Sequence, residues 1–283
     1  METVTERAPL QQQVLAWKRA GDRIAFVPTM GNLHQGHISL VDVARASAER
    51  VVASVFVNPT QFGPGEDLDN YPRTLAEDSR QLEDAGCDLL FAPAVKEMYP
   101  HGIENAVMLR APADIADRLE GRFRPGHFDG VVSVVARLFV IVQPDYAVFG
   151  EKDFQQLLLI DRMVEDLGFG IKIVPAPTVR EASGLAMSSR NSYLPADRIE
   201  AAGNLNLVLL AAIREVLEDG QSMAKAESAA VQKLTSYGLR VDYVAIRRAC
   251  DLAAPEPDDR KLRILAAAWC GSTRLIDNRP FEL

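Results

Sequence analysis

The chain has 283 residues, 48% hydrophobic and 25% charged, a balance typical of a soluble globular protein and unlike a disordered tail. Its formal charge of −8 argues against a general nucleic-acid binder, so any positive charge for a polyphosphate has to be concentrated locally. The three cysteines, Cys87, Cys250 and Cys270, are far apart, odd in number and form no C-x-x-C, which argues against a disulfide frame or zinc ribbon and points to a reducing compartment.

Met1 to Arg7 is polar and lacks the apolar core of a secretory leader. The longest apolar run, Val131 to Val142, is too short and too broken to cross a bilayer. A soluble cytoplasmic protein with no membrane partner is expected. Pro9 to Ala20 predicts a helix closed by Gly21. The strand Ile24 to Val27 is expected to stop at Pro28, which cannot donate to a ladder. The loop that follows carries Gly31 and Gly36, where the backbone can turn and approach a ligand closely. From His37, the residues Ile38, Leu40, Val41 and Ala44 recur at helical spacing, and Val51 to Val57 is a β-branched strand. This β-loop-α-β unit places its loop at a strand's carboxyl end and a helix's amino end, both anion-binding positions in an open α/β sheet.

Asn58 to Gly65 predicts a Pro/Gly-rich loop beyond the second strand. Thr74-Leu75-Ala76-Glu77 reads as a capping box opening a helix to Gly86, and Asp88 to Ala92 as the next strand. Ala106 to Leu109 is expected to be a strand outside the main sheet, and Gly121 to Gly130 an irregular loop. Val131 to Gln143 reads as a buried helix, although its valines suit a strand equally well. Tyr146 to Phe149 is a strand ending at Gly150, Asp153 to Leu167 a helix, and Ile171 to Val174 a strand. After about residue 190 the texture changes to two amphipathic helices, Ala196 to Gly220 and Ser222 to Tyr237. An antiparallel pair follows, Arg240 to Arg247 with Leu262 to Trp269. The expected architecture is α/β. A Rossmann-like doubly wound parallel sheet occupies residues 1–180 and a smaller C-terminal α+β domain residues 181–283, with Met187 to Asn191 at the seam.

His34 and His37 make the first loop specific, since two imidazoles at a helix amino terminus can each donate to phosphate oxygens beside the helix dipole. The bland alternative is a pair of surface histidines in a turn. Zinc is a poor match, because H-x-x-H has no third ligand nearby. Gly150-Glu151-Lys152-Asp153 repeats the pattern of strand, glycine and helix start. Asp153 is expected to cap the helix, and Lys152 to set a point charge beside its free N–H groups.

The string Pro28-Thr29-Met30-Gly31-Asn32-Leu33-His34-Gln35-Gly36-His37 carries the H-x-G-H signature of the nucleotidyltransferase superfamily related to class I aminoacyl-tRNA synthetases. Within it, that string resembles the pantothenate synthetase (pantoate–β-alanine ligase) family. So do Phe56 to Gly63, Phe149 to Gln156, Pro177 to Glu181 and Met187 to Asn191. The resemblance spans most of the chain, with its motifs in order. It implies an ATP-dependent, AMP-forming ligase that joins pantoate to β-alanine through a pantoyl adenylate, with Mg2+ on the ATP phosphates and a homodimeric assembly. It implies that Met30, Gly31, His34, His37, Gly150, Lys152, Asp153, Val179, Met187, Ser188, Ser189 and Arg190 bind ATP. Among these, His34, His37, Lys152 and Arg190 would serve the chemistry. Asn58, Gln61 and Gln156 would bind pantoate, and Gln61 also β-alanine. Met187-Ser188-Ser189-Arg190 is similar to the mobile K-M-S-K-S loop of the superfamily, with Ala186 where a lysine is common, which shifts charge work onto Arg190 and Lys152. Glu77 and Asp78 are candidate protein ligands of magnesium.

Two rivals stand beside this reading. A cytidylyl- or adenylyltransferase acting on a phosphorylated alcohol would share the H-x-G-H loop but need a basic cluster for the acceptor phosphate. The glutamine-bearing Asn58 to Gly63 loop points away from it. A non-catalytic nucleotide sensor would be expected to have lost Lys152, Arg190 or a histidine, and all are present.

Overall fold

The computed structural model describes residues Met1–Leu283. In chain order the regular elements begin with β1 (Glu2–Val4), α1 (Arg7–Ala20), β2 (Ile24–Thr29), α2 (Gln35–Ser47) and β3 (Arg50–Val55). Next come α3 (Leu75–Asp84), β4 (Leu89–Phe91), α4 (Val95–Met98), α5 (Ala113–Ala116), α6 (Leu119–Phe123), α7 (His127–Val142) and β5 (Tyr146–Gly150). The chain continues through α8 (Phe154–Leu167), β6 (Lys172–Ala176), α9 (Ile199–Leu217), α10 (Met223–Ser236), β7 (Arg240–Arg248), β8 (Lys261–Cys270) and β9 (Thr273–Glu282).

The six N-terminal strands form a parallel sheet in the order β1-β4-β3-β2-β5-β6. The order reverses at β2, which has β3 on one side and β5 on the other. In an open α/β sheet that reversal opens a crevice at the strands' carboxyl ends. β2 is buried on both faces, as a central parallel strand must be. Ala25 and Val27 join Leu40, Val41 and Ala44 of α2 in one core cluster. Phe26 meets Phe139 of α7 edge-on, with ring centroids 6.4 Å apart, and Phe139 meets Phe149 at 6.3 Å.

The second sheet is antiparallel, β7-β8-β9. Apolar residues of α9 and α10, among them Leu205, Leu209, Ala226 and Leu234, share a core with Val244, Ile246, Ile264 and Ala266 of its strands.

By packing, the chain divides into two compact units. One comprises Met1–Asp117, Gly121–Glu151 and Gln156–Pro177; the other comprises Arg118–Glu120, Lys152–Gln155 and Thr178–Leu283. The second unit thus takes two short pieces from the N-terminal part of the chain. Arg274 holds Glu120 with a forked hydrogen bond, while Gln155 accepts from the Glu120 N–H at 3.1 Å.

Several sequence expectations are corrected. β2 runs on through Pro28 and Thr29, registered with Ser54 and Val55; pairing to β5 involves only Ala25 and Phe26, so the proline sits where one side of the strand is unpaired. Thr74 forms no cap to the α3 backbone, because its hydroxyl faces the Asp78 carboxylate instead. Ala106 to Leu109 is irregular, and Gly121 to Gly130 is largely helical. Gly126 supplies the left-handed turn (φ 79°) that joins α6 to α7. The helix expected from Asp153 begins at Phe154, after a short 3-10 turn over Glu151–Asp153. Two strands, β1 and β9, were not expected at all.

Candidate active site

The turn from β2 into α2 is built around a buried carboxylate. Asp78, 1% exposed, accepts the backbone N–H of Asn32 at 3.0 Å and of Leu33 at 2.8 Å. Gly31 has φ 83°, and a Cβ there would meet Val55 Cγ1 at 2.9 Å and Asp78 Oδ2 at 3.0 Å. Only glycine fits such a position. Asn32 follows at φ 50°, a left-handed conformation that asparagine tolerates.

His34 is the N-cap of α2. Its Nδ1 accepts the Gly36 N–H at 3.0 Å, and the Nδ1 of His37 accepts the His34 N–H at 3.3 Å, giving a reciprocal capping box made of two imidazoles. Backbone N–H groups can only donate, so both Nδ1 atoms are acceptors and each ring carries its hydrogen on Nε2. The rings lie 4.0 Å apart, centroid to centroid. Two Nε2–H donors therefore stand together at the amino end of a helix, where the macrodipole favours an anion.

Beyond β3, Asn58 is fully buried and Gln61 nearly so. Asn58 Nδ2 donates to Gln61 Oε1 at 3.1 Å and to the Gly130 carbonyl at 3.2 Å. Its Oδ1 accepts from the Tyr99 hydroxyl at 2.7 Å and from the Thr60 hydroxyl at 3.1 Å. Gln61 Nε2 points at Met30 Sδ, 3.0 Å away, and the Gln61 carbonyl accepts from His127 Nδ1 at 2.7 Å. Arg124 Nη1 donates to His127 Nε2 at 3.0 Å, which fixes that tautomer, and the Arg124 guanidinium pairs with Glu66 at 2.6 Å. Desolvation of the half-buried Glu66 pulls its carboxyl upward, but the Arg124 bonds outweigh it and hold it below the ordinary carboxylate range.

In the second unit, Lys152 follows the end of β5 by two residues, and its ammonium lies 3.6 Å from Asp153. Asn278 donates to the Lys152 carbonyl at 2.9 Å. Thr178 to Asn191 folds back on itself. The Met187 N–H donates to the Val179 carbonyl at 3.0 Å, and Arg180 bridges Ala186. Arg180 grips the buried Asp277 with two bonds of 2.6 and 2.8 Å. The Arg190 N–H donates to Ser188 Oγ at 3.3 Å, and Asn191 binds Glu181 at 2.7 Å.

The structure brings Met30, Gly31, His34, His37, Asn58 and Gln61 to the carboxyl ends of the adjacent strands β2 and β3. Lys152, Asp153, Val179, Met187, Ser188, Ser189 and Arg190 lie in the second unit, and Gly150 ends β5. Gln156 is half-buried, and its neighbour Gln155 spends its amide on Arg118 and Glu120. Glu77 and Asp78 have other work: Glu77 is exposed and bonded to Arg80, and both Asp78 oxygens are spent on the loop and Thr74. Neither fits a protein cage for magnesium, and no group of three or more His, Cys, Asp or Glu is arranged to hold a metal. Tyr99, His127 and Arg124 were missed as support for Gln61, because their partners are distant in sequence and carry no local signal.

Comparison with known proteins points to one family. A family model described as pantoate-beta-alanine ligase matches residues 2–280. A pantothenate synthetase of Thioalkalivibrio sulfidiphilus is 54% identical, with 100% of this chain and 99% of that one covered; one of Shewanella loihica is 50% identical at the same coverage. The crystal structure of pantothenate synthetase from Thermus thermophilus superposes with a TM-score of 0.91 at 48% identity, covering 99% of both chains. A Francisella tularensis pantoate-beta-alanine ligase, complexed with beta-gamma ATP and beta-alanine, gives 0.82 at 35% identity, covering 99% of this chain and 97% of that one.

Proposed function

The chain belongs to the pantoate-beta-alanine ligase family, and we infer on that premise how its own residues join pantoate to β-alanine at the expense of ATP. A carboxylate oxygen of pantoate attacks the α-phosphorus of ATP. The bond to the bridging oxygen breaks, and pyrophosphate leaves. The free amine of β-alanine then attacks the acyl carbon of the pantoyl adenylate. The acyl C–O bond breaks towards AMP, and the nitrogen loses a proton to give the amide, pantothenate.

In this reading the Nε2–H groups of His34 and His37 donate to ATP phosphate oxygens, where negative charge builds during adenylation. Met30 and Gly31 line the phosphates with the turn's backbone. Lys152 and Arg190 supply positive charge to the departing pyrophosphate, with Ser188 and Ser189 as neutral donors. Gln61 and Gln156 receive pantoate, with the fully buried Asn58 bonded behind Gln61, and the pantoate carboxylate stays nucleophilic because amides orient it without neutralising it. Mg2+ would arrive on the ATP phosphates, since Glu77 and Asp78 are otherwise engaged. Catalysis is then positioning and charge stabilisation. A cytoplasmic homodimer is the assembly the family resemblance supports.

The observation that carries the reading is the double histidine cap, because it commits both Nδ1 atoms and so fixes the hydrogen of each ring on Nε2 at a helix amino end. The test is isotope exchange. The protein should move labelled pyrophosphate into ATP when given pantoate and magnesium with β-alanine withheld. Exchange that strictly requires β-alanine overturns the adenylate order, and exchange driven by another acid overturns the substrate.

A further inference from the structure

The amide of Gln61 can be read atom by atom, because its neighbour's orientation is fixed by groups that cannot change role. Asn58 faces the Gly130 carbonyl, which only accepts, and the Thr60 N–H, which only donates, at 3.2 and 3.4 Å. Nδ2 must therefore lie on the Gly130 side and Oδ1 on the Thr60 side. The Tyr99 hydroxyl, which can take either role, follows that orientation and donates to the same Oδ1 at 2.7 Å, holding the side chain in place. Tyr99 is itself 2% exposed, with the Arg137 guanidinium 4.9 Å over its ring. With Asn58 so held, its second N–H is aimed at Gln61, and only an oxygen can receive it. Oε1 of Gln61 is thereby committed at 3.1 Å. Nε2 is left facing the thioether of Met30 at 3.0 Å, a weak acceptor that leaves its donor strength for a stronger one.

The main chain under Gln61 is equally constrained. His127 holds its carbonyl, and α7 passes so close at Gly130 that a Cβ there would come within 2.8 Å of Gln61 Cα.

We propose that Asn58, held by Gly130, Thr60 and Tyr99, is a positioning residue that turns the Gln61 carbonyl oxygen inward and presents the Nε2 donor end of the amide to the substrates. The acid substrate then receives an N–H from Gln61 on a carboxylate or hydroxyl oxygen. The same end of the amide can greet β-alanine through its carboxylate and repels its ammonium. This makes the outward Nε2 end a specificity element: an acid presenting an oxygen to it is accepted, and one presenting a hydrogen or a cation there is refused. The inference rests on the proposed assignment of Gln61 to the acid substrate.

The experiment uses pyrophosphate exchange with pantoate, magnesium and no β-alanine. Wild-type protein is measured first, so that failure of the functional reading, seen as no pantoate-driven exchange, is separate from failure of this one. Asn58→Asp keeps the shape but turns Nδ2 into an acceptor, which forces the Gln61 amide to rotate. The expected result is a rise in the KM for pantoate of roughly 10- to 100-fold, with the KM for ATP within about twofold of wild type. The decisive arm is the Gln61→Ala background, where Asn58→Asp should add less than about twofold, because a residue acting only through Gln61 has nothing left to position. Full additivity there, or an unchanged pantoate KM in the single variant, overturns the proposal. If Asn58→Asp fails to fold, Tyr99→Phe carries the same split with a smaller rise, about 2- to 5-fold, and no rise overturns it.

Discussion

Leu33 donates its backbone N–H to Asp78 Oδ1 at 2.8 Å, tying the turn that ends in His34 to the first turn of α3, 45 residues further along the chain. The neighbouring Asn32 N–H goes to the other oxygen of the same carboxylate. Asp78→Ala would leave both N–H groups without a partner in a buried place. The expected loss is about 2–4 kcal/mol in urea unfolding, together with a fall in kcat for adenylation larger than the change in the KM for ATP. A variant that keeps kcat despite lost stability would show that the turn holds its histidines without Asp78.

Gly130 offers a sharper steric test. A methyl group there would press on Gln61 Cα at 2.8 Å and closer still on the Thr60 carbonyl, both of them backbone and unable to swing aside. Gly130→Ala should destabilise by about 1–3 kcal/mol and raise the KM for pantoate while sparing that for ATP. Thermal unfolding and separate KM measurements decide it.

The Glu66–Arg124 pair gives a pH dependence with a definite sign. Glu66 titrates lower in the folded protein than when unfolded, so its contribution is present above the unfolded carboxylate value, about 4.3, and fades as pH falls through its lower folded value. Glu66→Gln should therefore lower the urea midpoint at pH 7, and the gap from wild type should narrow at acid pH. A gap that widens on acidification would contradict the assignment.

Thiol labelling tests burial directly. Burial pushes the Cys87 thiol up to about 12 and raises Cys270 as well, whereas Cys250 is exposed. Iodoacetamide at pH 8 should modify Cys250 quickly and the other two only on unfolding, as peptide mass spectrometry would show.

How much of this could be read from residues alone depends on whether the cause was local. The β2–α2 unit declared itself because Ile24 to Val27, the glycines and the Ile38–Ala44 spacing are neighbours in sequence. β1 gave no such signal: Glu2–Val4 is short and polar, and only pairing with Leu89–Phe91 makes it a strand. β9 was hidden by Asp277, Asn278 and Pro280, polar or ladder-breaking residues. The structure explains the first two, Asp277 by Arg180 and Asn278 by the Lys152 carbonyl. Thr74 looked like a cap because Glu77 sits three residues on, yet the nearby buried carboxylate of Asp78 captures its hydroxyl. At the candidate site, the motifs single out His34, His37 and Gln61 as candidates, and the structure sets them at the carboxyl ends of β2 and β3. Their tautomers and amide orientation were not legible there, since these depend on Gly36, Asn58 and Gly130 as hydrogen-bond partners.

The double histidine cap leads to a test that separates structure from chemistry at one position. His34 does two jobs with two nitrogens: Nδ1 accepts the Gly36 N–H, and Nε2 carries the donor assigned to a phosphate oxygen. Asparagine places its Oδ1 near the site of an imidazole Nδ1 and has nothing at the position of Nε2. His34→Asn should thus keep the cap and lose the donor. Glutamine reaches the Nε2 position with an amide N–H and gives up the cap. His34→Gln should thus cost about 1 kcal/mol of stability, as cap removal usually does, and retain more adenylation activity than His34→Asn. Alanine should show both defects. If the donor acts mainly as charge develops at phosphorus, His34→Asn lowers kcat by about 100-fold or more with the KM for ATP nearly unchanged. If His34→Asn instead keeps kcat and raises only the KM for ATP, the imidazole is a ground-state ligand and its part in adenylation falls away.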